Sequence, residues 1–255
     1  MTATLSVDSL GAISVVSEQI GIDPQVVEDL VVANRILFNQ GVVDAFGHVS
    51  VRHPGRGDRF LLSRNMAPGL VCAEDLLEFD MNAVAVQSDP PRQFLERFIH
   101  SEIYKARPEV MAVVHSHSPT VVPFTVSKST PLRAVCHMCG FIGTQVPLFE
   151  ISDEFGDGTD LLIRSAAMGA SLARSLGQSD LVMMRGHGST VVARGIREAV
   201  YRAVYTEVNA STQLRAVQLG EPHYLSDAEA KTAAKVMDSE TQRPWGLWKA
   251  KALGL

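Results

Sequence analysis

Two histidines separated by one residue, His115 and His117, end an apolar run that begins at Ala112, and Ser118 and Pro119 follow them. Alternate side chains of an extended strand point to the same face, with Cα atoms about 6.5–7 Å apart. Two imidazoles at that separation can bind one metal ion, at metal–nitrogen distances of about 2.0–2.1 Å. The alternative is a pair of polar residues that hydrogen-bond to the loop after the strand.

A third histidine, His187, also follows a short apolar run and lies between Gly186 and Gly188. The glycines allow a sharp turn and a close approach to another strand. Two histidines from one strand and a third from a distant strand form a three-ligand site with an open position, which is typical of a catalytic metal. Neutral imidazoles suit Zn²⁺, Mn²⁺, Fe²⁺ or Co²⁺ better than Ca²⁺ or Mg²⁺. We therefore expect one divalent transition metal per subunit.

The segment Phe94–Pro108 has apolar residues at helical spacing and a proline at its end, which predicts an amphipathic helix. Glu96 and His100 lie one turn apart on the same face of this helix. Because the helix leads directly into the strand of His115, Glu96 can lie near the metal. The alternative for Glu96 is a solvated carboxylate that pairs with Arg97 or His100.

The order and spacing of these motifs resemble those of the class II aldolase/adducin family over about residues 34–220. The resemblance implies an α/β fold of three layers, α/β/α, with a mainly antiparallel central sheet. It implies that His115, His117 and His187 bind the metal and that Glu96 is the catalytic acid or base. It also implies a homotetramer with active sites at subunit interfaces. The matching residues are Glu96, His100, Tyr104, Arg107-Pro108, Ala112–His117 and Gly186–Gly188.

Three positions depart from the sugar-phosphate members of this family. His48 stands where those enzymes carry asparagine, Ser63-Arg64-Asn65 replaces their phosphate cradle, and Phe94-Leu95 replaces a pair of serines. The guanidinium of Arg64 can bind a planar carboxylate with two hydrogen bonds. These candidate substrate-binding residues (His48, Ser63, Arg64, Asn65) favour a carboxylated small molecule over a sugar phosphate. A polar turn residue at His48 and a surface cation at Arg64 are the alternatives.

We therefore predict a metal-dependent lyase that decarboxylates a hydroxylated aromatic or heteroaromatic (di)carboxylic acid in catabolism, as in the decarboxylase branch that the chain resembles. A metal ion can stabilise the charge left as carbon dioxide departs, and Glu96 or His137 can protonate the ring carbon. The alternatives are an aldolase or dehydratase for a non-phosphorylated hydroxy-carbonyl compound, an Fe(II) oxygenase, or a non-catalytic adducin-like interaction protein.

The composition fits a single globular domain, 1–255, in which residues 1–22 are peripheral or mobile. The net charge of −5, without a basic cluster, argues against nucleic-acid binding, and no apolar run is long enough for a membrane span. The three cysteines and the absence of a secretory signal predict a cytoplasmic protein. Cys136 and Cys139 are expected to be reduced thiols near the site, with a redox or metal role as the alternative.

Periodicity predicts the remaining elements. Helices are expected from Pro24 to about Gly41, over Asp160–Leu176 and Ile196–Leu219, and after a capping box that begins at Ser226. The tryptophans at 245 and 248 are expected either to close the core or to reach an adjoining site. Strands are expected near residues 48–52, 59–63, 74–80 and 83–86.

Overall fold

The computed structural model describes residues 7–254, so the expectation for residues 1–22 falls partly outside the described residues. The helices are α1 (Val7–Ile20), α2 (Pro24–Asn39), α3 (Arg97–Ala106), α4 (Val122–Val126), α5 (Ser152–Phe155), α6 (Ala166–Leu176), α7 (Ile196–Leu219), α8 (Asp227–Asp238) and α9 (Gln242–Ala252). Short 3₁₀ helices span Pro68–Leu70, Ala73–Asp75 and His137–Ile142. The strands are β1 (His48–Arg52), β2 (Arg59–Ser63), β3 (Leu76–Asp80), β4 (Ala112–Ser116), β5 (Leu148–Phe149), β6 (Leu181–Met184) and β7 (Gly188–Ala193).

The strands form one seven-stranded sheet in the order β3-β2-β1-β4-β7-β6-β5. All neighbouring strands are antiparallel except β5 and β6, which are parallel. The register pairs His48 of β1 with His115 of β4, and His115 with Thr190 of β7. The expected mainly antiparallel α/β sheet is confirmed, and its central strands bring distant parts of the sequence side by side.

Helices cover both faces of the sheet, because its strands alternate between two apolar clusters. In β4, Val114 belongs to the cluster that includes α1, α2, α7 and α9, whereas Val113 belongs to the cluster that includes α3 and α6. Val49 of β1 also faces the first cluster, which turns its neighbours His48 and Ser50 towards α3. The three-layer arrangement therefore places the polar ends of β1 and β4 under α3.

Several predicted elements have the expected bounds and the expected caps. The side chain of Asp23 accepts a hydrogen bond from the backbone N–H of Gln25 and caps α2, which begins at Pro24. The predicted helix over Ile196–Leu219 is α7, and the capping box at Ser226 begins α8. Trp245 and Trp248 of α9 are buried in the first apolar cluster, so they close the core of their own chain.

Three predicted elements differ from the structure. Asp160–Arg164 is not helical: Leu161 has a φ of 67°, and α6 begins only after Ser165 caps it. Ala83–Val86 is not a strand, because Ala83 has a φ of 60° and only an isolated bridge joins this segment to β3. The Glu96 helix begins at Arg97, so Glu96 is its N-cap residue.

No helix within residues 7–254 is both long enough and apolar enough to cross a membrane.

Candidate metal centre

Four side chains converge at one end of the sheet: Glu96, His115, His117 and His187. One ligand atom from each lies within 4.8 Å of the others. Nε2 of His117 is 2.9 Å from Nε2 of His115 and 2.9 Å from Nε2 of His187. Oε2 of Glu96 is 3.5 Å from Nε2 of His115 and 3.5 Å from Nε2 of His187. Three imidazole nitrogens and one carboxylate oxygen are a donor set that fits a divalent transition metal.

The sheet brings the histidines together through two adjacent strand ends. His115 lies in β4 and His117 follows its last residue, whereas His187 lies in the tight turn between β6 and β7. That turn approaches β4 closely: a Cβ atom on Gly188 would lie 2.1 Å from the carbonyl oxygen of Ser116. Only glycine fits there without displacing a strand, which explains the glycine after His187.

Hydrogen bonds orient two of the imidazoles for metal binding. Nδ1 of His187 is 2.9 Å from the carbonyl oxygen of Leu161, which can only accept, so Nδ1 carries the proton. Nδ1 of His115 is 3.3 Å from the hydroxyl of Thr190, which itself donates to the sulfur of Met184. Both histidines therefore turn an unprotonated Nε2 towards the cluster, as in proteins that bind metal through Nε2.

The Glu96 carboxylate is anchored by one oxygen and turned towards the histidines by the other. Its Oε1 accepts a 3.0 Å hydrogen bond from the backbone N–H of Ile163. Burial, the largest cause, raises the pKa of the Glu96 carboxyl, but its interactions with His115 and His187 together outweigh burial and hold the pKa well below its usual value. The group is ionised at neutral pH.

Burial lowers the pKa values of two of the histidines, His115 and His117. Burial is the largest cause that lowers the pKa of His115, and its interactions with Glu96 only partly oppose it. Burial, followed by the neighbouring imidazoles of His115 and His187, lowers the pKa of His117 to about 3. Protons therefore compete weakly for the nitrogens that would bind a cation.

His48 is the first residue of β1 and is buried beside this cluster, so the alternative of a polar turn residue is wrong. Its ring centroid lies 5.1 Å from that of His115 and 4.6 Å from that of Phe94. Its Nδ1 is 2.6 Å from Nε2 of the fully buried His100. His48 thus sits at the boundary between the cluster and a buried polar region under α3.

Ser63 ends β2, and Arg64 and Asn65 follow it, at the end of the sheet where β1 begins with His48. Nε of Arg64 donates a 2.7 Å hydrogen bond to Asp75, and the Arg64 side chain is 41% exposed. Ser63 is buried, and these three residues remain predicted rather than demonstrated substrate contacts.

His137 is not a member of the four-residue cluster. It is exposed on the 3₁₀ helix His137–Ile142 and borders a cavity with Thr232 and Met237 of α8. Its catalytic role stays a prediction. The thiols of Cys136 and Cys139 are free, with sulfur atoms 3.2 Å apart, and they too lie outside the cluster.

Sequence reasoning missed the backbone contacts from Leu161 and Ile163. Both residues lie in the segment that was expected to be helical, and their carbonyl and amide groups hold His187 and Glu96. Apolar residues at helical spacing concealed this loop, and a backbone group leaves no residue-type signal. Thr190 could have been found, since a polar residue two positions after Gly188 in an apolar strand must face a polar partner.

Comparisons with known proteins agree with this geometry. A family model described as Class II Aldolase and Adducin N-terminal domain matches residues 28–214. Decarboxylase tropJ from Talaromyces stipitatus is 41% identical over 237 residues, covering 84% of this chain and 89% of that protein. A 3,4-dihydroxyphthalate decarboxylase from Arthrobacter keyseri is 27% identical over 211 residues, covering 76% and 79%. An L-fuculose 1-phosphate aldolase from Glaciozyma antarctica PI12 superimposes over 90% of both chains, with 26% identity and a TM-score of 0.73.

Proposed function

The chain belongs to the family of class II aldolases and adducin N-terminal domains, and on this premise we propose that it is a metal-dependent decarboxylase. Its proposed substrate is a hydroxylated aromatic or heteroaromatic carboxylic acid, consumed in catabolism. The observation that carries the proposal is a complete cluster of three histidines and one glutamate in a chain that is 41% identical to a protein named as a decarboxylase. An adducin-like interaction module has no need of such a cluster.

The cluster would hold a divalent cation through Nε2 of His115, His117 and His187, and a carboxylate oxygen of Glu96 could be a further ligand while no substrate is bound. Bound there, such a cation supplies Lewis-acid stabilisation of negative charge on substrate oxygens. We propose Zn²⁺ or Mn²⁺, with Fe²⁺ or Co²⁺ as alternatives, because imidazole-rich sites bind all four. Elemental analysis of the purified protein, and reconstitution after chelation, would identify the ion.

Glu96 has the geometry of the group that moves the proton. Decarboxylation breaks the bond between a ring carbon and its carboxylate, and the electron pair remains on the ring carbon while carbon dioxide leaves. Oε1 of Glu96 is held by Ile163, so Oε2 is the oxygen that can exchange a proton with the substrate. We propose that Oε2 takes the proton of the substrate hydroxyl and gives it to the ring carbon. General acid–base help of this kind contributes about 10²–10⁴-fold.

The surroundings of the cluster favour a flat substrate. The ring of Phe46, which is 66% exposed, lies 6.3 Å from the ring of His117, and the ring of Phe94 lies 4.6 Å from that of His48 at an interplanar angle of 47°. Aromatic side chains offer apolar faces to an aromatic ring, with a gain of about 0.5–1.5 kcal/mol per pair. Arg64 keeps terminal N–H groups beyond its bond to Asp75, and these are proposed to bind a carboxylate.

The test is to incubate metal-loaded protein with a panel of ortho-hydroxy aromatic mono- and dicarboxylates, including 3,4-dihydroxyphthalate, and to measure carbon dioxide release. Turnover of at least one acid, lost after chelation and restored by metal, supports the proposal. The second candidate is an aldolase, which the similarity to an L-fuculose 1-phosphate aldolase favours. Cleavage of a non-phosphorylated hydroxy-carbonyl compound with no release of carbon dioxide from the panel would replace the decarboxylase with it. Oxygen uptake would indicate an oxygenase.

We also propose a homotetramer with active sites between subunits, as the family resemblance implies. Light scattering of the purified protein measures the mass of the assembly directly. A monomeric, fully active protein would exclude a contribution of a neighbouring subunit to the site.

A further inference from the structure

A chain of short hydrogen bonds runs from the metal cluster into the core beneath α3. Nδ1 of His48 is 2.6 Å from Nε2 of His100, and Nδ1 of His100 is 2.6 Å from Oγ of Ser50. Oγ of Ser50 is 2.7 Å from the hydroxyl of Tyr104. These four residues are 0–3% exposed, so their buried polar atoms need hydrogen-bond partners inside the protein.

Only one assignment of donors and acceptors satisfies every group in this series of hydrogen bonds. The Tyr104 hydroxyl hydrogen has a single acceptor among the described residues, the oxygen of Ser50. Once Tyr104 donates to Ser50, Ser50 donates to Nδ1 of His100, and the proton of neutral His100 must then lie on Nε2. The opposite direction would leave the Tyr104 hydrogen buried without an acceptor, at a cost of about 1–3 kcal/mol.

This direction decides the tautomer of His48. His100 donates from Nε2 to Nδ1 of His48, so the proton of neutral His48 lies on Nε2. Nε2 of His48 has no hydrogen-bond partner within residues 7–254, and it is not among their fully buried side-chain atoms that lack one. It is therefore not fully buried, and the centroid of its ring lies 5.1 Å from that of His115.

We propose that His48 presents its Nε2–H group to an oxygen of the substrate at the metal centre, and that Ser50 and His100 are positioning residues that hold His48 in this tautomer. The acceptor is a carboxylate or ionised hydroxyl oxygen, because a charged acceptor makes the stronger bond with an N–H donor. The choice of acceptor rests on the proposed function, whereas the tautomer rests on the hydrogen-bond chain alone.

The same series of hydrogen bonds gives His48 a different tautomer from those of the histidines proposed to bind the cation. An imidazole nitrogen that carries a proton cannot coordinate a metal. His115 and His187 carry their protons on Nδ1 and turn an unprotonated Nε2 inward, whereas His48 turns an N–H inward. His48 is thus a donor to the ligand of the metal and not a fourth histidine ligand.

Solid-state NMR of Zn²⁺-loaded protein with ¹⁵N,¹³C-labelled histidine tests the tautomer at any assembly size. His48→Gln assigns the His48 signals by their loss. We expect His48 to be protonated at Nε2 in the native protein and in Tyr104→Phe, since Ser50 still donates to His100 there. Ser50→Ala removes that donor, and we expect His48 to show both tautomers. Protonation of native His48 at Nδ1 would overturn the proposal, and an unchanged tautomer in Ser50→Ala would remove the positioning residues from it.

Calorimetric titration of the Zn²⁺-loaded variants with salicylate tests the contact with the ligand. His48→Gln keeps an N–H donor at the end of the side chain, whereas His48→Leu does not. We expect His48→Leu to weaken salicylate binding about 10-fold or more and His48→Gln to weaken it less than about 3-fold, with one bound zinc in both. Equal affinities in the two variants would overturn the substrate contact. Neither experiment depends on turnover, so an inactive substrate panel would refute only the proposed function.

Discussion

The carbonyl oxygen of Leu161 accepts a 2.9 Å hydrogen bond from Nδ1 of His187, and Leu161 makes this contact with a φ of 67°. That dihedral angle is unusual for a residue other than glycine and costs about 1–3 kcal/mol. A leucine held in a strained conformation next to a metal-binding histidine indicates that the surrounding structure imposes the position of this carbonyl group. The orientation of His187 therefore depends on a backbone dihedral angle 26 residues away in the sequence.

This relationship predicts that two substitutions of Leu161 affect the metal affinity differently. Proline fixes φ near −65° and cannot place the Leu161 carbonyl, so Leu161→Pro should lower the affinity for a divalent metal by about 10- to 100-fold. Glycine adopts positive φ readily, so Leu161→Gly should keep the affinity within a few-fold of native. Competition with a chromophoric chelator measures both. Equal losses would show that packing of the leucine side chain, and not the dihedral angle, matters.

Substitutions of Glu96 and His115 should have different effects on metal content and on turnover. His115→Ala should lose bound metal and activity together, because a cavity replaces one of three imidazole ligands. Glu96→Gln should retain metal and the fold but lose about 10²–10⁴-fold in turnover, because an amide cannot transfer the proton. Elemental analysis and carbon dioxide release separate the two effects. A Glu96→Gln variant with native turnover would exclude Glu96 from the chemistry.

Gly188 should be intolerant of a single added methyl group. The new Cβ atom would lie 2.1 Å from the carbonyl oxygen of Ser116, so β7 must move away from β4. We expect Gly188→Ala to lower the free energy of unfolding by about 1–3 kcal/mol and to weaken metal binding. Gly158→Ala is the matched control, since a Cβ atom there meets nothing within 4 Å. Urea unfolding of both variants measures the difference, and a native-like Gly188→Ala would contradict the close approach of the strands.

The buried histidine under α3 should make the protein less stable in mild acid. Burial lowers the pKa of His100 from 6.5 to about 3, so the folded state excludes a proton that the unfolded state binds. Stability is therefore lost as the pH falls below 6.5, and the loss continues to about pH 3. His100 alone should lower the free energy of unfolding by about 2 kcal/mol between pH 6.5 and pH 5.

Urea unfolding of chelator-treated protein at several pH values checks this prediction. His100→Gln should be less stable at neutral pH but should show a shallower loss in acid. His223→Gln replaces an exposed histidine and serves as the control, with the native pH dependence. A His100→Gln variant as acid-sensitive as the native protein would assign the sensitivity to other groups.

The metal centre could be predicted from the sequence to the extent that its residues have characteristic spacings. His115 and His117 share a face because strands alternate, and the glycines around His187 mark a tight turn, so local geometry was sufficient to nominate all three. The bounds of α7 followed from helical periodicity in the same way. In each case the local preference and the tertiary structure agree.

The remaining parts depend on contacts between distant residues. Asp160–Arg164 has helical spacing of apolar residues, yet tertiary contacts with Glu96 and His187 hold it in an irregular conformation. His48 and Ser50 alternate with buried valines, but their polar partners lie about 50 residues further along the chain. A single sequence contains no direct signal for such pairings.

The spread of the cluster along the chain has a consequence during synthesis. Its four groups come from residues 96 to 187, so a nascent polypeptide has an incomplete site until the turn between β6 and β7 has left the ribosome. Cation capture by all four groups then follows translation of at least the first six strands. Scarcity of the ion in the cell would consequently slow the maturation of newly synthesised protein and lower the activity of protein that is already folded.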